Sequence, residues 1–181
     1  MAKNHEKERI IFELFYEKIY KTAYFMTKDP HMSQDIAQES FIKAFKKIDT
    51  IKEPSKISAW LGTIATNTSL DYLRKRNRFN DIAVEEEHID YITENNSRVS
   101  SVERLVELKY LKKTIQENMS LLRPEYKQIL ILKFEYGLKE KDISRLLGIS
   151  EGTVKSRYHR AKQQLRVKLE EIVDFKGVEE L

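Results

Sequence analysis

Residues 139–161, KEKDISRLLGISEGTVKSRYHRA, admit few folds. Ile143, Leu146 and Leu147 recur at helical spacing, Gly148 interrupts, and Val154, Tyr158, Ala161, Leu165 and Leu169 resume the same period. Glycine enters the left-handed backbone that ends a helix without steric cost, Ile149 is apolar enough to plug the joint, and Ser150 is a good N-cap. Two helices hinged at one glycine form a helix-turn-helix. The wet side of the second helix carries Ser156, His159, Arg160 and Gln163, flanked by Lys155 and Arg166. These are donors suited to base edges, with cations placed for phosphates. Gly152 in the first turn costs up to about 1 kcal/mol against alanine, which a helix N-terminus pressed against a phosphate would explain. Read alone, the motif fits a repressor, an activator or a response-regulator tail equally well.

The rest of the chain is helical by the same criterion. Only five glycines and three prolines punctuate 181 residues, and no β-branched run alternates with polar residues for long. Residues 8–27 place Ile11, Phe12, Phe15, Ile19, Ala23 and Met26 on one stripe, which Pro30 is expected to close. A second helix is expected from Ser33, as N-cap, to about Ile48, with Ala37, Phe41, Ala44, Phe45 and Ile48 dry. After a loop at Pro54, a third begins near Ser55 or Ser58 and ends in RKRNR, residues 74–78. Further helices are expected from Val102 to Met119 and from Pro124, pre-set for a first turn, to Gly137.

Between these helical sets the composition changes. Residues 80–103 hold seven acids and one base, a net charge of −6, with few large apolar residues. Such a segment cannot offset its ordering entropy by burial and is expected to act as a tether. The expected fold is therefore all-α: two small helical domains, residues 1–79 and 104–181, joined by an acidic flexible linker over 80–103, the C-terminal domain a helix-turn-helix. About 80 residues per domain leave each a modest core, so a partner would add stability. The last dozen residues, 170–181, are expected to fray.

Two further stretches bear on function. In residues 58–78, SAWLGTIATNTSLDYLRKRNR, the expected core face is Ile57, Trp60, Leu61, Ile64, Ala65, Thr68 and Tyr72. The far side holds Thr63, Thr66, Asn67, Leu70, Leu73 and Arg74; two leucines on an otherwise polar face call for a partner. Weak helix formers such as threonine and asparagine are there for something other than propensity. In residues 33–47 the wet face carries Asp35, Gln38, Glu39, Ile42 and Lys46, placing an exposed isoleucine beside acids, as a protein-docking face would.

Other chemistries find no support. Four scattered histidines without a cysteine do not suggest a metal site, and neither a glycine-rich phosphate loop nor a Ser/His/Asp grouping is present. No catalytic residue, cofactor, metal or small-molecule substrate is expected, and an enzyme is disfavoured. The absence of cysteine fits a reducing, cytoplasmic setting. No signal peptide is read at the N-terminus, and no stretch of eighteen apolar residues would span a membrane.

Taken together and in this order, SQDIAQESFIKAFKKI, AWLGTIATNTSLDYLRKRNR and LRPEYKQILILKFEYGLKEKDISRLLGISEGTVKSRYHRAKQQL resemble a bacterial RNA polymerase sigma factor of the extracytoplasmic-function (ECF) group. The resemblance implies that residues 1–79 act as sigma region 2 and 104–181 as region 4. It implies that Asp35, Gln38, Glu39, Ile42 and Lys46 face the clamp of core RNA polymerase, while the C-terminal domain touches its flap. It implies that Trp60, Asn67, Asp71, Arg74, Lys75 and Arg76 bind and melt the −10 element, Asn67 receiving an unstacked base. Thr153, Lys155, Ser156, Arg157, His159 and Arg160 would meet the double-stranded −35 element. The acidic linker resembles the segment that threads toward the polymerase active centre, and an anti-sigma partner is usual in the group. The sequence departs from the family where Met32 and Gln34 stand in place of acids, and where Thr66 stands in place of a common arginine. The rival reading is a stand-alone helix-turn-helix regulator whose N-terminal helices sense a ligand or dimerise; a weaker one is an anti-sigma-like or structural adaptor.

Overall fold

The structure, a computed structural model, describes residues 2–51, 53–80, 119 and 121–178. The acidic linker and the helix expected over 102–119 lie outside the described residues, apart from Met119. The described chain is all-helical, with six α-helices: α1 (Ala2–Thr27), α2 (Pro30–Phe45), α3 (Ile57–Asn80), α4 (Pro124–Phe134), α5 (Glu140–Leu147) and α6 (Glu151–Val178).

Helices α1, α2 and α3 pack on one another. Pro30 opens α2 rather than closing α1, and the cap is Asp29, not Ser33. The Asp29 carboxylate accepts the Met32 N–H at 2.9 Å, with Pro30 in the first turn, where its missing N–H costs nothing. The α1 end is made by Lys28, whose left-handed backbone (φ 57°) lets its N–H reach the Tyr24 carbonyl at 2.9 Å. Ser33 is buried, its hydroxyl donating to the Asp29 carbonyl. Helix α2 stops at Phe45, and Ile48 begins a 3-10 turn over Ile48–Thr50 that still plugs the core. A second such turn, Pro54–Lys56, leads into α3.

The core of this unit is Ile11, Ile19, Ala37, Phe41, Ala44, Ile48, Leu61 and Ala65. Ile36, absent from the expected stripe, is also fully buried. Phe12 and Tyr16 both approach the Phe41 ring, with centroids 4.9 and 6.5 Å away.

In the second unit, α6 packs on α4 and α5. Ile129, Leu132, Ile143 and Val154 form one cluster, and Leu122, Tyr126, Leu130 and Ala161 another, with Tyr158 touching both. Helix α4 ends at Phe134; Gly137 (φ 65°) lies three residues later, in the turn toward α5. Leu146, expected to be dry, is exposed, because the α5 turn toward α6 needs only Ile143, Leu147 and Ile149. Helix α6 continues to Val178, well past the point at which fraying was expected.

The two units are in contact. Helix α4 lies against both α1 and α3, and Ile131 packs with Met26 and Leu70. The partner that Leu70 called for is thus in the same chain.

Candidate nucleic-acid interface

The helix-turn-helix forms as its residues require. Gly148 takes the left-handed conformation, φ 65° and ψ 32°. Ser144 and Ile149 then close the turn reciprocally: the Ile149 N–H donates to the Ser144 carbonyl (3.2 Å), and the Ser144 hydroxyl donates to the Ile149 carbonyl (2.6 Å). Ser150 caps α6 by accepting the Thr153 N–H at 3.0 Å. Val154 and Ala161 are 0% exposed, which pins one face of α6 and turns Lys155, Ser156, His159, Arg160 and Gln163 to solvent. Thr153 and Arg157 are half-buried at the flanks. A side chain at Gly152 would meet nothing nearer than the Ser150 hydroxyl, 3.7 Å away, so nothing inside the protein demands that glycine.

Helix α3 is more enclosed than its sequence suggested. Leu61, Gly62, Thr63, Ala65, Thr66, Thr68, Ser69, Leu70 and Leu73 are all buried, because α1 and α2 cover one side and α4 another. Its hydroxyls bond along the helix, Thr63 to the Ala59 carbonyl (2.9 Å) and Ser69 to that of Ala65 (2.8 Å), so burial leaves them satisfied. Thr66, where the resemblance would place an arginine, is fully buried; the Gln128 amide nitrogen of α4 donates to it at 3.2 Å. The same nitrogen donates to the exposed Asn67 side-chain oxygen at 2.7 Å. Trp60 is half-buried against the N-terminal core. Arg74 sits 3.8 Å from Asp71 and 3.6 Å from Glu125 of α4. Lys75 lies 5.9 Å over the Tyr72 ring, and Arg76 is half-buried.

On α2, Ile42 is 51% exposed. Asp35, Gln38 and Lys46 are exposed too, and Glu39 is half-buried with its carboxylate 3.5 Å from Lys43. Lys43 also donates to Thr68 of α3 at 3.2 Å. Burial raises the Tyr72 pKa, and the Glu39 and Asp35 carboxylates of α2 raise it further. The candidate clamp residues thus stand on α2 and the candidate −10 residues on α3, which packs against it, while the α6 face stands on the other unit. Sequence reasoning missed Thr22, Gly62, Gln128 and Tyr136, which join the units; the signal for them was the unpartnered Leu70 and Leu73. Among the described residues no group of three His, Asp or Glu side chains could hold a metal ion, and no helix is long and apolar enough to cross a membrane.

The architecture, a helix-turn-helix on one unit and a helix with a basic end packed against α2 on the other, is that of a two-unit helix-turn-helix protein. Residues 11–79 match the Sigma-70 region 2 family, and residues 112–165 match Sigma-70, region 4. The chain is 33% identical over 166 residues to the ECF RNA polymerase sigma factor SigW of Bacillus subtilis, covering 90% of this chain and 88% of that protein. It is 31% identical to the ECF RNA polymerase sigma factor SigM of the same organism, covering 86% and 91%. In fold it is similar to the sigma factor RpoE in complex with the anti-sigma factor NepR from Bartonella quintana (TM-score 0.64, 23% identity, 88% and 94% covered). It is also similar to CnrH in complex with the cytosolic domain of CnrY (TM-score 0.58, 19% identity, 93% and 91% covered). The chain belongs to the ECF RNA polymerase sigma factors.

Proposed function

We propose that this sigma factor recruits core RNA polymerase through α2, reads the −35 element with α6, and reads and opens the −10 element with α3. The observation that carries this is the exposed face of α6. Two fully buried residues, Val154 and Ala161, aim Lys155, Ser156, His159 and Arg160 outward from a capped, glycine-hinged helix. Arg160 and His159 take base edges, Ser156 and Thr153 adjust to either groove wall, and Lys155 and Arg157 neutralise phosphates. On α3, Asn67 offers an amide to an unstacked base, Trp60 and Asp71 flank it, and Arg74, Lys75 and Arg76 follow the strand. On α2, Ile42 is the apolar anchor, with Asp35, Gln38, Glu39 and Lys46 as its polar rim.

Neither module suffices alone. A single helix-turn-helix reads few base pairs, each worth about 1–3 kcal/mol. Two weak readers on one tether gain by effective concentration once polymerase sets their spacing. Residues 80–103 supply that tether between domains 1–79 and 104–181, and their negative charge favours a cationic polymerase channel over DNA. The protein is a transcription initiation factor that does no covalent chemistry, works in the cytoplasm, and is held silent by an anti-sigma factor, as the neighbouring solved structures suggest for their own chains.

Run-off transcription with core polymerase on a genomic library of templates tests this. Promoter-dependent products are expected only when the protein is added. Arg160→Ala should cut binding to −35-containing DNA and spare polymerase affinity, and Ile42→Glu should do the reverse. No product, together with a palindromic footprint by the protein alone, would overturn the reading in favour of a stand-alone regulator.

A further inference from the structure

Polar side chains along the contact between the units are paired. The Tyr136 hydroxyl is 2.7 Å from that of Thr22, and its ring fills the space that Gly62 leaves on α3. The Gln128 amide donates to Thr66 and Asn67, and Arg74 stands 3.8 Å from Asp71 and 3.6 Å from Glu125. Lys127 of α4 departs from this pattern. It is 6% exposed, yet among the described residues no hydrogen bond or ion pair receives its ammonium. Its surroundings follow from its neighbours on α4. Ile131, one turn farther along the same face, packs with Met26 of α1 and Leu70 of α3, and Glu125, two positions back, meets Arg74. Lys127 therefore lies where the end of α1 and the basic end of α3 meet α4. Lys28 follows Met26 by two positions, its ammonium 5.5 and 5.3 Å over the Tyr24 and Phe25 rings. Arg76 follows Arg74 by two positions and is half-buried. Burial lowers the Lys127 pKa most, and the Lys28 and Arg76 charges lower it further. The carboxylates close in sequence are engaged: Asp29 caps α2, and Asp71 and Glu125 flank Arg74.

We propose that Lys127, Lys28 and Arg76 form a binding site for a small phosphoryl anion, either free or as the phosphate tail of a nucleotide. A buried charge is tolerated when something of opposite sign neutralises it, and here the protein supplies more positive charge instead. Packing, not mutual attraction, holds these cations together, so the cost of desolvating Lys127 is met before any ligand arrives. An anion then gains its full attraction in a poorly screened setting. The chemistry suits phosphate: a guanidinium offers a planar fork to two oxygens, and the two ammoniums act as point charges. Three cations match a diphosphate or triphosphate better than a single carboxylate. The slight exposure of Lys127 admits a small group and keeps out a duplex backbone.

Titration calorimetry on the full-length chain tests this, in a phosphate-free buffer at pH 7 and constant ionic strength, with pyrophosphate, ADP and adenosine as probes. Pyrophosphate and ADP should each bind at one site per chain, and adenosine should not. Equal affinities for the two identify a free anion as ligand, and tighter ADP identifies a nucleotide; either supports the site. Lys127→Met should weaken pyrophosphate about tenfold or more, the value of one charge-assisted contact. Pyrophosphate should raise the melting temperature of the parent and leave that of Lys127→Met unmoved, a readout that a variant merely altered in stability would not give. Lys28→Gln, at a half-buried position, should weaken binding to a lesser degree and serves where Lys127→Met does not fold. Lys47→Gln, an equal loss of charge at an exposed position, should change nothing. No binding by the parent, binding that survives both junction substitutions, or an equal loss in Lys47→Gln overturns the site. Displacement of bound pyrophosphate by a single-stranded DNA lacking terminal phosphates assigns the cations to a nucleic-acid strand and overturns the small-anion reading.

Discussion

Lys127 is a lysine in the wrong place, and its removal has a calculable pH signature. It lies on α4, 6% exposed, at the junction of the two units. Burial, with the cations Lys28 and Arg76 adding to it, lowers its pKa from 10.5 to about 8. A lysine whose folded pKa is depressed binds more protons unfolded than folded between those two values, so stability rises with pH across that window. At pH 9 the unfolded side chain is almost fully protonated and the folded one about one-tenth so. The slope is then about 1.2 kcal/mol per pH unit, an upper limit because residual solvent around the ammonium screens it. Tyr136 bends the curve the other way. Burial, offset in part by the Thr22 hydrogen bond and reinforced by Glu135, pushes its pKa up to about 12. Its folded form keeps the proton that the unfolded form loses from pH 10, so stability contributed there falls toward pH 12. Urea unfolding from pH 7 to 11, chosen over an ionic denaturant that would screen the charges, should show a rise and then a fall. Lys127→Met should be more stable at pH 7 and lose most of the rise; Tyr136→Phe should flatten the fall. Parallel curves for wild type and Lys127→Met between pH 8 and 10.5 would refute the account of Lys127 as a buried, repelled charge.

Two further outcomes follow from local geometry. Gly148→Ala forces an alanine to φ 65°, and because its Cβ would meet nothing within 4 Å the loss is backbone strain alone, about 1–2 kcal/mol; thermal melts should show it, and Gly148→Asn should recover most of it. Leu61→Ala empties a fully buried site between α1, α2 and α3 and should cost about 2–5 kcal/mol by urea midpoint, with no loss beyond that ascribable to DNA contacts.

How far the site was legible depended on the range of the interaction that makes it. The helix-turn-helix could be read residue by residue, since Gly148, Ile149 and Ser150 act on backbone groups within five positions of themselves. The exposure of Ile42 and the solvent face of α6 followed from a 3.6-residue period. Boundaries were harder where two local signals competed. Ser33 and Asp29 both suit an N-cap, and Pro30 both ends and begins helices; the Asp29–Met32 bond and the burial of Ser33 decided between them. Leu146 satisfied the helical period of α5 yet faces solvent, because periodicity does not say how wide the covering partner is.

The sequence by itself determined an all-helical chain, its helix-turn-helix, and the solvent faces of α2 and α6, because spacing, caps and charge act over a few residues. Only the tertiary structure decided what Leu70, Gly62 and Tyr136 are for. Met26, Leu70 and Ile131 meet across more than a hundred positions of chain, and the Tyr136 ring fills a vacancy that Gly62 leaves 74 positions away. A missing side chain has no period of its own. Its meaning is the shape of whatever packs against it, and that is settled only when the two units meet.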